Sequence, residues 1–199
     1  TDTDIVDMTL ESNLVPGEEF TLGCAVCSKF EGTIMTANNI MELGVVRPYI
    51  GLDINGVVEE VPLGVFNIDN VKVIKGNKKI VAYDNMIKFE KAYFSDLSYP
   101  TSIQNIASEI CQKAGVGFSS LLPNYTIDEI EGKTVREAIG IIAGLCGGFA
   151  KIDRSGNLQI SSLITTDKTI SSDNFFGSIE KADRNFTIKK ITAIKEDKT

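Results

Sequence analysis

Three groups of residues in this chain have types and spacing that could do chemistry: a Cys24-x-x-Cys27 pair, a Gly132-Lys133-Thr134 triplet at a helix start, and clustered carboxylates at Glu18-Glu19, Glu59-Glu60 and Asp128-Glu129-Glu131. A CxxC does redox or half-zinc chemistry when it caps a helix or when a second pair completes a tetrahedral site. Here Phe20-Thr21-Leu22-Gly23-Cys24-Ala25-Val26-Cys27 reads as a strand, on which residues three apart point to opposite faces. Cys111 and Cys146 each fall on the apolar face of a predicted helix. All four are therefore read as reduced, mostly buried thiols.

The glycine-lysine-threonine triplet would close a phosphate-binding loop if a glycine stood five residues before Gly132, so that successive amides could curl around the anion. Position 127 is Ile, and Asp128, Glu129 and Glu131 put negative charge where phosphate would sit. A capped helix behind an acidic loop is the expectation. Glu59 and Glu60, adjacent on a strand, diverge rather than converge. Asp53-Ile54-Asn55-Gly56 opens like a calcium loop, but the twelfth position is Gly64, which has no carboxylate to supply the bidentate ligand. Neither a metal nor a cofactor is expected.

Composition narrows the choice further. The chain has 199 residues, 43% hydrophobic and 24% charged, which suits a folded protein of one or two domains. It contains no histidine, so the commonest general base, the usual Ser and Cys triads, and His-containing zinc or haem sites are all missing. The expectation is a protein that is not an enzyme. A net charge of −7 lacks the cationic field that neutralises phosphates, and no specific nucleic-acid partner is expected. No apolar run reaches the roughly 18 to 20 residues of a membrane span, so membrane insertion is not expected. The first residues, Thr1-Asp2-Thr3-Asp4, are acidic where a signal peptide is basic. A strand-like pattern at Lys189-Lys190-Ile191-Thr192-Ala193-Ile194-Lys195 stops within a few residues of the end, which predicts a piece cut from a longer protein. Asn124-Tyr125-Thr126 and Asn185-Phe186-Thr187 match the glycosylation triplet and are read as chance matches.

The elements that must position these residues can be read from periodicity. Residues 1–95 are β-rich, with turn signals at the intervals of an antiparallel barrel or sandwich. Asn55-Gly56 between Tyr49-Ile50-Gly51-Leu52-Asp53-Ile54 and Val57-Val58-Glu59-Glu60-Val61 predicts a tight hairpin, and a second turns at Lys75-Gly76-Asn77-Lys78. Ile103, Ile106, Ala107, Ile110, Cys111 and Ala114 fall at helical spacing, with Ser102, Gln104, Asn105, Ser108, Glu109, Gln112 and Lys113 opposite. Thr101 with Gln104 is read as the capping box of this helix and Gly115 as its left-handed stop. A second box, Thr134 with Glu137, opens a helix over 134–146 whose apolar residues leave almost no polar face, so it should be buried. Gly140 and Gly144 make a bare stripe on it, fitted either for internal packing against the following hairpin or for a neighbouring subunit. That hairpin spans 148–160 and turns at Asp153-Arg154-Ser155-Gly156. Residues 161–174 read as a linker, and strand pattern returns at Phe186-Thr187-Ile188-Lys189-Lys190-Ile191-Thr192. The fold class is α+β: a β-rich, barrel-like domain (1–95), a small inserted α/β unit of two helices and a hairpin (96–162), and a linker with return strands (163–199).

In order along the chain come Phe20-Thr21-Leu22-Gly23, Arg47-Pro48-Tyr49-Ile50-Gly51-Leu52, Val61-Pro62-Leu63-Gly64-Val65-Phe66, Ala82-Tyr83-Asp84-Asn85-Met86, Tyr99-Pro100-Thr101, Gly115-Val116, Thr134-Val135-Arg136-Glu137-Ala138-Ile139, and a run from Ile142 through Gly147-Gly148 and Gly156 to Leu158. This ordered set resembles the hub proteins of bacteriophage tails, the baseplate hub or tail-tip minor structural proteins of phages, prophages and tail-like bacteriocins. The resemblance spans residues 18–160. It implies a virion structural protein located in the tail and assembled in the host cytoplasm, a homotrimeric ring between tail tube and tail tip, built from paired β-barrels with an α/β insert. Its partners would be further copies of itself, tail tube proteins and tail-tip or baseplate proteins. The positions carrying the resemblance, as structural or interface candidates, are Pro48, Tyr49, Gly64, Asp84, Tyr99, Pro100, Thr134, Arg136, Glu137, Gly147, Gly148 and Gly156. The alternatives are the non-catalytic front of a tail-associated peptidoglycan hydrolase and a cell-surface binding module. The second of these lacks the tryptophan and clustered tyrosine of a sugar-stacking platform.

Overall fold

Residues 5–84 supply eight strands: β1 (Ile5–Glu11), β2 (Cys24–Ala25), β3 (Lys29–Ile34), β4 (Val45–Val46), β5 (Tyr49–Ile54), β6 (Val57–Pro62), β7 (Phe66–Ile74) and β8 (Asn77–Asp84). The structure, a computed structural model, describes residues 4–17, 21–40, 42–163 and 171. The chain divides into two units, Thr1–Leu163 and Ile164–Thr199. The expected strand at 186–192, most of the expected linker, Phe20, Glu18 and Glu19 lie outside the described residues.

Five strands form an antiparallel half-barrel sheet in the order β1-β3-β8-β7-β4. Alternation decides its inner face, since successive side chains on a strand point to opposite sides. Phe30, Phe66, Ile68, Ile80 and Ala82 are buried there, with Met8, Leu10, Ile34 and Val71 packed against them. The rings of Phe30 and Phe66 lie 5.7 Å apart at a tilt. A bulge between Ile68 and Asn70 inserts Asp69, so that Val71 rather than Asn70 continues the inner row. Both expected hairpins form. Asn55 and Gly56 have φ of 55° and 84°, and Lys75 and Gly76 have 49° and 84°, the positive pair that a tight two-residue hairpin turn requires. Asn77 and Lys78, expected within the second turn, already belong to β8.

Among the described residues, β5 and β6 pair only with each other. Every residue of this hairpin is exposed.

The strand expected over residues 20–27 shrinks to β2. Gly23 adopts a φ of 76°, which breaks the extended run, and β2 leaves the half-barrel sheet altogether. It joins a second layer that begins after β8 with a single 3-10 turn, Asn85–Phe89, and continues with β9 (Thr101–Ser102), α1 (Ile103–Ala114), β10 (Thr126–Ile127), α2 (Val135–Leu145), β11 (Gly148–Ile152) and β12 (Leu158–Ser162). β11 pairs with β12 antiparallel and with β2 parallel, Phe149 opposite Cys24 and Ala150 opposite Ala25. α1 contributes Ile103, Ile106, Ala107, Ile110 and Cys111 to the core of this layer, and α2 contributes Val135, Ala138, Ile139, Ile142 and Ala143. Met86, Phe89 and Leu158 are among the other residues buried in it. Each fully buried Ile, Met or Phe side chain here stabilises by about 1.5 to 3 kcal/mol relative to exposure.

Local signals at the helix ends are met with one correction. α1 is capped by Ser102, whose hydroxyl accepts from the Asn105 amide at 3.1 Å. Thr101 lies one residue too early, since the first helical residue is Ile103, and its hydroxyl accepts instead from the Asn105 side chain at 3.3 Å. Gln104 is drawn sideways instead, its Oε1 accepting from the Leu122 amide at 2.9 Å. At the other end Gly115 is left-handed as expected, and the Val116 amide donates back to the Cys111 carbonyl at 2.9 Å. α2 keeps its capping box. It is not buried all round, however: Ile141 and Leu145 are 39% and 47% exposed, because α1 and the β11–β12 hairpin cover one side only.

Candidate functional site

The residues that carry the resemblance collect along the joins between the half-barrel sheet, the β5–β6 hairpin and the helical layer. At the end of β8, Asp84 is 4% exposed and has both carboxylate oxygens engaged. Oδ2 accepts from the Ser28 amide at 2.8 Å, and Oδ1 accepts from the Met86 amide at 2.9 Å and the Cys27 thiol at 3.2 Å. The Asp84 amide donates in turn to the Ser28 carbonyl at 3.0 Å. Beside it, Asn85 donates to the Gly156 carbonyl at 2.7 Å and accepts from the Asn67 side chain at 3.0 Å. One short segment, 84–85, thus ties together the ends of β7 and β8, the link at 27–28, and the turn between β11 and β12. A cleft of about 410 Å³ opens here, lined among others by Ser12, Ser28, Gly64, Asp84, Lys151 and Arg154. Three of the protein's own donors hold the Asp84 carboxylate in place at the edge of this cleft.

The thiols follow the same logic. Burial, reinforced by the Asp84 carboxylate, pushes Cys27 up to about 12, and burial alone does the same for Cys111. Thiolates are the reactive form, and burial holds both in the protonated form at neutral pH. Cys24 donates to the Thr21 carbonyl at 3.1 Å, and all four cysteines are free thiols.

A second join lies at the start of α2. Arg136 donates from Nε to the Ala25 carbonyl at 2.7 Å, and its guanidinium pairs with Glu90. The Val135 amide donates to the Lys91 carbonyl at 2.8 Å, and the Tyr93 amide to the Lys133 carbonyl at 2.9 Å. Within the capping box, Glu137 Oε2 accepts from the Thr134 amide at 2.7 Å, and Thr134 Oγ1 accepts from the Glu137 amide at 3.2 Å. The Thr134 amide holds the Glu137 carboxyl below its usual range. The amides of Thr134, Val135 and Glu137 are therefore already taken. Gly140 and Gly144 face neither the following hairpin nor a bare surface. Their stripe is covered by Gly23, whose carbonyl lies 2.7 Å from where a Cβ on Gly140 would stand. The Gly23 amide donates to the Gly148 carbonyl at 2.8 Å, which locks this crossing in place.

The remaining motif positions flank these joins. Pro48 is buried at the root of the β5–β6 hairpin, its carbonyl accepting from the Leu63 amide at 2.9 Å, while Tyr49 is exposed at the first position of β5. Gly64 lies under the Phe66 ring, 2.7 Å from the position a Cβ would take. Tyr99 and Pro100 precede β9 through a cis peptide, and Gly147 turns the chain from α2 into β11.

Sequence reasoning missed Glu109, placed on the polar face of α1 but 9% exposed in the structure. It accepts from the Tyr93 hydroxyl at 2.7 Å, the Ser95 hydroxyl at 2.9 Å and the Asp96 amide at 2.7 Å, and pairs with Lys113 at 3.0 Å. Periodicity hid it, since a carboxylate on the flank of a helix looks the same whether solvated or bonded to a neighbouring loop. Burial pushes its pKa up, but the Asp96 amide, Tyr93, Lys113 and Ser95 outweigh that, and the net shift is downward from the ordinary 4.5. A carboxyl depressed on folding contributes stability above the unfolded value and loses it as pH falls through the folded one. Urea denaturation midpoints of the wild type are therefore expected to fall steeply as pH drops below about 5, and those of Glu109→Gln to fall less, the two converging in acid. Parallel curves would show that Glu109 contributes nothing to acid sensitivity.

No family model matches the sequence, and no curated protein matches it. Two tail proteins are among the solved structures that align with it. The 43 kDa tail protein of prophage MuSo2 from Shewanella oneidensis aligns over 70% of this chain and 48% of its own, at 17% identity and a TM-score of 0.43. The tail protein from Neisseria meningitidis MC58 aligns over 66% of this chain and 41% of its own, at 16% identity and a TM-score of 0.44. This chain thus spans less than half the length of either of these prophage and bacterial tail proteins, to which it is similar in structure.

Proposed function

We propose that this chain is a structural, non-catalytic part of a phage or prophage tail, a hub subunit that assembles as a homotrimeric ring between tail tube and tail tip. The observation that carries the proposal is the β5–β6 hairpin. Tyr49, Ile50, Leu52, Ile54, Val57, Val58 and Val61 are all 43% or more exposed on it. An isolated two-stranded hairpin is marginally stable in water, and its open edges and apolar face are a template for another chain. A protein built to assemble needs such a surface, whereas a hydrolase needs a cleft with unspent acids and bases. The ordered motif set supports the same reading, since its residues serve the joins that hold this hairpin and the two layers together. The test is to purify tails from a strain carrying the gene with an epitope tag. The labelled chain is expected in the particles, at a threefold ring where tube meets tip. Its absence from particles, or release of soluble fragments from cell walls by the chain itself, would overturn the assignment.

A further inference from the structure

The exposed hairpin has a definite chemistry. On one face stand the cross-strand pairs Ile50 with Val61, Leu52 with Glu59, and Ile54 with Val57, so that five apolar side chains surround a single carboxylate. Asp53 and Glu60 lie on the reverse face, and residues 49–62 contain no lysine or arginine. This hairpin is an apolar plate with three negative charges.

The opposite kind of surface is found at the tip of the β7–β8 hairpin. Val73 is 70% and Ile74 49% exposed there, flanked by Lys72 and Lys75, which are exposed, and by Lys78 and Lys79. Lys78 donates to the Asn38 carbonyl and Lys79 pairs with Glu31 at 3.5 Å, so Lys72 and Lys75 are the charges that project. Val73 continues the inner row of β7 past its last packed member, Val71. Both surfaces are exposed in the same chain, so neither covers the other. They are also far apart: the acidic hairpin is rooted beside Phe66, where Val46 pairs with it, and the basic tip lies eight residues further along β7, roughly 25 Å at about 3.3 Å per residue.

We infer that the β5–β6 hairpin of one copy docks on the β7–β8 tip of a second copy of this chain. The inference deepens the ring reading and rests on it, naming the contact from which the ring is made. Self-pairing of like surfaces is disfavoured, because two acidic plates or two basic tips would bring like charges together. Plate against tip buries apolar side chains on both sides and brings Glu59, the one carboxylate on the apolar face, to the basic tip that carries Lys72 and Lys75. Such a contact is heterologous, one patch meeting a different patch, and heterologous contacts close into rings when the rotation between copies permits.

The decisive experiment mixes two singly substituted proteins, Leu52→Cys and Val73→Cys, under mild oxidation. A disulfide-linked pair is expected from the mixture and not from either protein alone, with the linked peptides identified by mass spectrometry. In sedimentation, Glu59→Lys is expected to weaken association about fivefold or more, and adding Lys72→Glu with Lys75→Glu to restore it within about threefold. All of the substituted positions are exposed, and unchanged thermal midpoints would confirm intact folding. The inference is overturned if the mixture does not link, if paired reversal fails to rescue, or if the thiol introduced by Leu52→Cys links instead to residues 164–199 or to another tail protein. If any of these occurs while the chain still sits in tail rings, the contact is wrong and the ring reading stands. If the chain neither associates nor enters particles, both fall.

Discussion

Asp84→Ala is expected to lower the stability of this chain by roughly 3 to 5 kcal/mol, since each buried amide left without an acceptor costs about 1 to 3 kcal/mol. The amides of Ser28 and Met86 both lose their acceptor, at 2.8 and 2.9 Å, where the Asp84 side chain is 4% exposed. At about 2 to 4 °C per kcal/mol for a chain of this size, the thermal midpoint should fall by about 10 °C. Asp84→Asn keeps one acceptor oxygen and should lose about half as much. A second readout follows from Cys27. Removing the carboxylate that helps raise it makes the thiol easier to ionise, so alkylation of Cys27 should be faster in Asp84→Ala than in the wild type under conditions where both are folded. A midpoint change of under about 2 °C with unaltered alkylation would show that the segment 84–85 does not hold the two layers together.

Gly148→Ala should be as severe, by a steric rather than a polar route. A Cβ on Gly148 overlaps the Ser161 carbonyl and stands 2.7 Å from the Ser162 Cα, and backbone cannot rotate aside. β11 would have to withdraw from β12, which also pulls the Gly148 carbonyl away from the Gly23 amide. Overpacking that forces backbone shifts costs about 1 to 3 kcal/mol, and more where a ladder is broken, so a loss of about 3 kcal/mol or more is expected. Gly117→Ala is the matched control. The obstacle there is the side chain of Asn157, which can swing away, so that variant should lose little. Equal denaturation midpoints for the two variants would refute the argument.

How much of this was legible in the sequence differs from element to element. Asn55-Gly56 identified its hairpin because a two-residue turn with positive φ is a property of the turn residues themselves. Thr134 and Glu137 identified the start of α2 because the capping box is closed within one helical turn. Ser102 was passed over for Thr101 because both can cap. What separates them is where the helix begins, at Ile103, which leaves the Thr101 hydroxyl to accept from the Asn105 side chain. The fate of Cys24-Ala25 was hidden by range, its partner strand lying more than a hundred residues away. Glu109 was misplaced because its donors come from a loop that no helical pattern describes.

The sequence by itself determined the α+β class, the tight hairpins, both helices, and an inventory of side chains without a single imidazole. These depend on period, turn conformation and composition, which neighbouring residues set between them. Only the tertiary structure decided that Asp84 ties two layers together, that Gly140 and Gly144 receive Gly23, and that among the described residues the β5–β6 plate stands uncovered while one face of each helix is packed away. Each of those outcomes turns on which surfaces meet across long stretches of chain. That is a question of burial and of satisfying every hidden donor, and local pattern carries no term for it.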